Sequence, residues 1–145
     1  MASTLWLLDT CTLSEPTYQR PHAGVVEWLQ RHGDDGVISA ASFGEIHYGI
    51  ACLPPSAKRN QLQAWVLALA QQFEGRILAT DDAVWRQFGE LKSSLRAIGR
   101  MQDALDMVIA ATALQHGLTL VTRNTRHFED TGLRLVNPWA DAPSV

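Results

Sequence analysis

Short apolar runs alternate with longer amphipathic stretches along this chain. Leu5-Trp6-Leu7-Leu8 stops at Asp9-Thr10 and reads as a buried parallel strand. Pro21 opens a helix through Val25, Val26, Trp28 and Leu29 that Gly33 stops, and Asp34-Asp35-Gly36 turns the chain into a strand over 37–39. Ser42 and Glu45 have the spacing of a capping box, so the next helix is expected to begin there and to end before Pro54-Pro55. Leu62, Trp65, Val66, Leu69 and Phe73 recur at helical spacing within a helix over 56–73. Arg76 to Ala79 reads as a third strand, and Asp81 or Asp82 is placed to cap a helix through Val84, Trp85, Phe88, Leu91 and Leu95 to Gly99. A helix from about Ala104 closes at Gly117, Thr119 to Val121 is a fourth strand, and Leu133 to Val136 is a possible fifth at an edge. This alternation predicts an α/β fold: a three-layer α/β/α domain, residues 1–145, around a mainly parallel sheet of four to five strands.

Composition narrows the picture. A chain of 145 residues, 46% hydrophobic and 19% charged, has enough apolar material for one sizeable core and no long charged tract of the disordered kind. No apolar run reaches the length of a membrane span, and no basic start with an apolar stretch reads as a leader. Cys11 and Cys52 are too few for a disulfide framework, which suits thiols in a reducing cytoplasm. The net charge of −3 exerts no global pull on nucleic acid, yet seven of the twelve Lys and Arg residues lie from Arg86 onward.

Three carboxylates stand beside apolar runs although they are far apart in sequence. Asp9 ends the first strand, Glu45 follows the second, and Asp106 opens Met107-Val108-Ile109-Ala110-Ala111. In a parallel sheet, sites form at the carboxyl ends of strands, which the chain reaches at Asp9 and Thr122. Converging carboxylates suit Mg²⁺ or Mn²⁺, hard ions that prefer oxygen donors and keep several waters. Each acid also has a purely structural explanation. Glu45 completes the capping box, and Asp103 and Asp106 complement the dipole at a helix start. The five histidines show no metal-ligand spacing and are expected on the surface. Arg123 and Arg126 are placed either to meet phosphate or to stand solvated in a turn.

The motifs around these residues resemble a known family. Leu7-Leu8-Asp9-Thr10 with Leu13-Ser14-Glu15-Pro16, the segment Gly44-Glu45-Ile46-His47-Tyr48-Gly49, and the run Asp106 to Asn124 followed by Phe128 are similar to PIN-domain ribonucleases, closest to VapC-type toxins; Asn137-Pro138-Trp139 resembles their usual ending. The resemblance implies a PIN fold and endonucleolytic cleavage of RNA dependent on Mg²⁺ or Mn²⁺. It also implies inhibition of translation, a cognate antitoxin and a toxin homodimer. It assigns catalysis to Asp9, Glu45 and Asp106, with Asp9 and Asp106 on the metal. Asp103, Thr122 and Asn124 would support the ligands or orient phosphate, and Arg123 and Arg126 would contact RNA. Two positions depart from the pattern: Cys11 replaces a frequent asparagine, and Asn124 stands where some relatives carry a fourth aspartate. A degenerate PIN domain that only binds RNA or a partner is the alternative. A phosphoaspartate enzyme would need a second aspartate at the position of Cys11.

Overall fold

The computed structural model describes residues 5–140, so the two ends of the expected 1–145 domain lie outside the described residues. Five short strands, β1 (Trp6–Leu8), β2 (Gly36–Ser39), β3 (Ile77–Leu78), β4 (Thr119–Val121) and β5 (Leu135–Val136), pair in parallel in the order β3-β2-β1-β4-β5. Six α-helices connect and cover them: α1 (Thr10–Ser14), α2 (Ala23–His32), α3 (Ala40–Ala51), α4 (Ala57–Gln72), α5 (Asp82–Ala97) and α6 (Ala104–His116). Among the described residues no helix is long and apolar enough to cross a membrane.

Successive strand residues point to opposite faces, and here both faces are covered. Leu7, Val37 and Leu120 enter one core with Leu91 and Leu95 of α5 and with Met107, Ile109 and Ala113 of α6. Leu8, Ile38 and Val121 enter the other core with Ile46 and Ile50 of α3, Val66 and Leu69 of α4, and Phe73. Each fully buried leucine or isoleucine contributes about 1.5–3 kcal/mol of transfer free energy. The strands therefore read as unbroken apolar runs, as expected for the middle layer of three. Gly36 permits the close packing of β1 on β2, since a Cβ there would lie 2.8 Å from Leu8 Cδ1. The strand order reverses around β1: the chain moves outward to β2 and β3, then crosses to β4 and β5. A crevice at such a reversal opens at the carboxyl ends of β1 and β4.

The helix starts refine the sequence reading. Ser39, not Ser42, caps α3, its hydroxyl accepting from Ala41 N at 3.1 Å. The capping box at Ser42 and Glu45 does not form, because the helix starts directly from the end of β2. Ser42 is buried inside the helix, and Glu45 is released from capping. Helix α2 begins after Pro21 at Ala23, with His22 Nδ1 accepting from Gly24 N at 3.1 Å. Asp81 rather than Asp82 caps α5, and Gly117 ends α6 at φ 65°. The short helix α1 has no apolar periodicity to announce it; Asp9 starts it by accepting from Thr10 N at 2.8 Å. On α4, Val66 and Leu69 are buried while Leu67 is 66% exposed, so its surplus apolar surface faces outward.

Buried Glu15 has a structural role. Glu15 accepts from His22 N at 3.1 Å and from Trp139 Nε1 at 3.1 Å, joining the two end motifs of the sequence in one contact. Glu15→Ala leaves both N–H donors without their acceptor and is expected to lower stability by about 2 kcal/mol, read as a lower urea midpoint with an unchanged slope. An unchanged midpoint would mean that the contact contributes nothing.

Candidate active site

Three neighbouring strand ends and one helix start supply the site. Asp9 leaves β1, Thr122 leaves β4, Glu45 stands on α3 beyond β2, and Asp106 stands in the first turn of α6. Asp9 is buried at 4% exposure, and both of its oxygens are engaged. Oδ1 accepts from Thr10 N at 2.8 Å; Oδ2 accepts from the Thr122 hydroxyl at 2.7 Å. The same hydroxyl accepts from Asn124 N at 3.1 Å, so β1 and the turn after β4 are held together through one side chain. Charge-assisted bonds of this kind contribute roughly 1.5–3 kcal/mol each and offset the cost of burying the carboxylate.

Glu45 accepts from the Thr10 hydroxyl at 2.8 Å through Oε1. Asp106 meets His127 at 2.9 Å between Oδ2 and Nδ1. Among the described residues no hydrogen bond occupies Glu45 Oε2 or Asp106 Oδ1. Both acids titrate above the ordinary carboxylate range. Burial pushes Glu45 up, as do the charges of Asp9, Asp106 and Asp103, while the Thr10 hydroxyl acts in the opposite sense. Burial and the charge of Asp9 push Asp106 up, and His127 acts against them. Negative charge is thus gathered at this edge with incomplete compensation.

The remaining sequence candidates take distinct places. Asp103 caps α6, its Oδ1 accepting from Leu105 N at 2.9 Å and Asp106 N at 3.3 Å. It adds charge to the site while its carboxylate holds backbone. Asn124 is exposed and reaches Thr122 through its backbone. Arg126 is exposed, and the Arg123 guanidinium lies 5.7 Å from the Trp139 ring centroid. Cys11, read from sequence as the loss of a polar orienting group, retains part of that role. Its thiol lies 3.7 Å from Asp9 Oδ2 and 3.6 Å from Thr122 Oγ1, and accepts from Arg123 N at 3.4 Å. Burial and the charge of Asp9 push this thiol up, so it remains a neutral donor to the aspartate. Trp28 packs edge-on against Trp6, with ring centroids 5.2 Å apart, and is partly buried against the core.

Two partners were missed from sequence. Thr10 stands at a strand end in the sequence, and His127 lies on the surface as expected, yet its ring meets Asp106. The 3₁₀ turn Thr125–Phe128 that brings His127 to Asp106 has no periodic signal, and only the fold joins positions 21 residues apart. Among the described residues no group of three or more His, Cys, Asp or Glu side chains is close enough to hold one metal ion between them. The edge is an open, oxygen-rich arrangement rather than a closed cage.

Comparison with known proteins identifies the family of the fold. Residues 6–133 match the PIN domain model. The chain belongs to the PIN domain family. It is 37% identical over 140 residues to toxin FitB of Neisseria gonorrhoeae, covering 93% of this chain and 99% of the relative. It is 34% identical to the VapC ribonuclease Y4jK of Sinorhizobium fredii, covering 94% and 99%. The crystal structure of FitAcB from Neisseria gonorrhoeae superposes with a TM-score of 0.88 at 36% identity, covering 94% of this chain and 99% of that one. The five-stranded parallel sheet flanked by helices is therefore the PIN fold, and the chain groups with VapC-type toxins.

The raised carboxylates set a sign for stability. The folded state holds protons on Glu45 and Asp106 more tightly than an unfolded chain does. Stability from the neutral forms is therefore present below the ordinary carboxylate range and is lost as pH rises through the raised values. Glu45→Gln removes one charge yet keeps an acceptor for Thr10. Without divalent ions at neutral pH, this variant is expected to melt roughly 2–4 °C above wild type, with the gap closing on acidification. A melting point at or below that of wild type at neutral pH would contradict the electrostatic picture.

Proposed function

We infer that this chain is the toxin of a type II toxin–antitoxin pair, a metal-dependent endoribonuclease that hydrolyses RNA phosphodiester bonds and inhibits translation. One observation carries the reading: in a PIN fold, Asp9, Glu45 and Asp106 come to one strand edge, and Glu45 and Asp106 are pushed above their ordinary range there. Carboxylates left bare would repel a polyanion, so cleavage requires a cation. The donor set fits Mg²⁺ or Mn²⁺, since its donors are oxygens and Asp106 Oδ1 and Glu45 Oε2 are uncommitted. Asp9 and Asp106 would hold the ion, directly or through its waters. Once bound, the ion would offset phosphodiester charge and lower the pKa of an attacking water.

The protein's own residues supply the rest. Glu45, with an affinity for protons closer to neutrality than a free glutamate, takes the proton of the attacking water. Thr122 fixes the orientation of Asp9, and Asn124 orients the scissile phosphate. Arg123, backed by Trp139, and Arg126 contact flanking phosphates. Attack by water on phosphorus leaves a 3′-hydroxyl and a 5′-phosphate. The chain works as one domain in the cytoplasm, as a homodimer, and is silenced by a cognate antitoxin protein.

The open spacing of the acids and the amide at Asn124 favour a second reading, in which the chain only binds RNA or a partner. One assay separates the two. Asp9→Asn and Asp106→Asn should each reduce RNA cleavage by at least about 10²-fold with the fold retained, and excess EDTA should abolish cleavage by wild type. Full activity in either variant removes that residue from the site. Metal binding without cleavage of any RNA supports the binding-only reading.

A further inference from the structure

We propose that His127 is a positioning residue: by holding Asp106 while Thr122 holds Asp9, it makes the segment from Thr122 to Phe128 a clamp that presents both aspartates to the cation. The inference rests on the metal-dependent reading of the site. Its geometry is on the page at both ends of the segment. The Thr122 hydroxyl donates to Asp9 Oδ2 at 2.7 Å, and His127 Nδ1 lies 2.9 Å from Asp106 Oδ2. With the carboxylate ionised, Nδ1 must carry the hydrogen, because a carboxylate only accepts. Using Oδ2 for this bond leaves Oδ1 available.

The segment between the two contacts is well fixed. Asn124 N donates to Thr122 Oγ1 at 3.1 Å, and His127 N donates to Asn124 O at 3.0 Å, closing the turn on itself. Phe128, 1% exposed, inserts into the core shared by α5 and α6 and anchors the end that carries His127. Just beyond, Arg100 Nη1 meets Asp130 Oδ2 at 3.1 Å, tying the continuation of the segment to the loop before α6. A ring mounted on so rigid a support restricts the rotamers of Asp106, and ligand affinity depends on such support. The contact also explains why a half-exposed histidine is turned towards a carboxylate rather than towards water.

The test measures Mn²⁺ binding to RNA-free protein by calorimetry, alongside kcat and KM for RNA. His127→Ala is expected to weaken Mn²⁺ binding about tenfold or more. Saturating Mn²⁺ should then restore most of kcat, with KM for RNA unchanged. His127→Asn places its amide N–H where Nδ1 stood and is expected to restore most of the affinity, whereas His127→Gln, with its amide one bond farther out, is not. If the alanine variant does not fold, the comparison of Asn with Gln carries the same decision. Wild-type Mn²⁺ affinity in His127→Ala, or an Asn variant no better than Gln, overturns the proposal and leaves the nuclease reading standing. A wild-type protein that binds no Mn²⁺ overturns both.

Discussion

Like charges gathered at one edge of a parallel sheet are the constraint around which this structure is arranged. Asp9, Glu45 and Asp106 are brought together by strands and helices that fold for apolar reasons, and burial, joined by the charges of neighbouring acids, raises the proton affinity of Glu45 and Asp106. Among the described residues no Lys or Arg forms an ion pair with these three carboxylates. Their hydrogen-bond partners are instead the Thr10 and Thr122 hydroxyls, the Cys11 thiol and the His127 ring. Such donors hold the oxygens in place and leave net negative charge on the edge, which an arginine would have neutralised. The edge thereby keeps a net negative charge.

The apolar architecture makes this possible. Leu7 and Leu8 pack into opposite cores, so β1 is covered on both faces and Asp9 is the first residue free to turn towards the edge. Leu120 and Val121 do the same for Thr122 on the adjacent strand, and the strand order reverses between them. Stability in the layers and strain at the edge are consequences of one topology. Glu15 shows the contrast: an equally buried acid, satisfied by backbone and indole donors, joins the two ends of the chain.

Much of this was visible in the order of residues. Four strands and a candidate fifth, the parallel α/β layering and the placement of Asp9 and Thr122 at strand ends follow from apolar run lengths and intervening helical periods. The acidic trio stands out by its place beside apolar runs, and the family resemblance assigns its roles. What periodicity could not show was decided by short-range competition or by long-range closure. Ser39 and Ser42 are both good helix caps, and only the end of β2 determines that Ser39 is used, which frees Glu45. Helix α1 and the turn carrying His127 span one turn or so each, too short for a pattern. Cys11 looked like a lost polar group because sequence shows a residue type, whereas its neighbours Thr122 and Arg123 arrive from 111 and 112 positions away.

We propose that the carboxyl edge between β1 and β4 holds one divalent ion through Asp9 and Asp106. Anomalous diffraction from crystals saturated with Mn²⁺ tests it most directly. The account predicts a single manganese peak at that edge, bound by oxygens of Asp9 and Asp106 or by waters they hold. No peak at the edge, or two peaks of equal strength there, would contradict it.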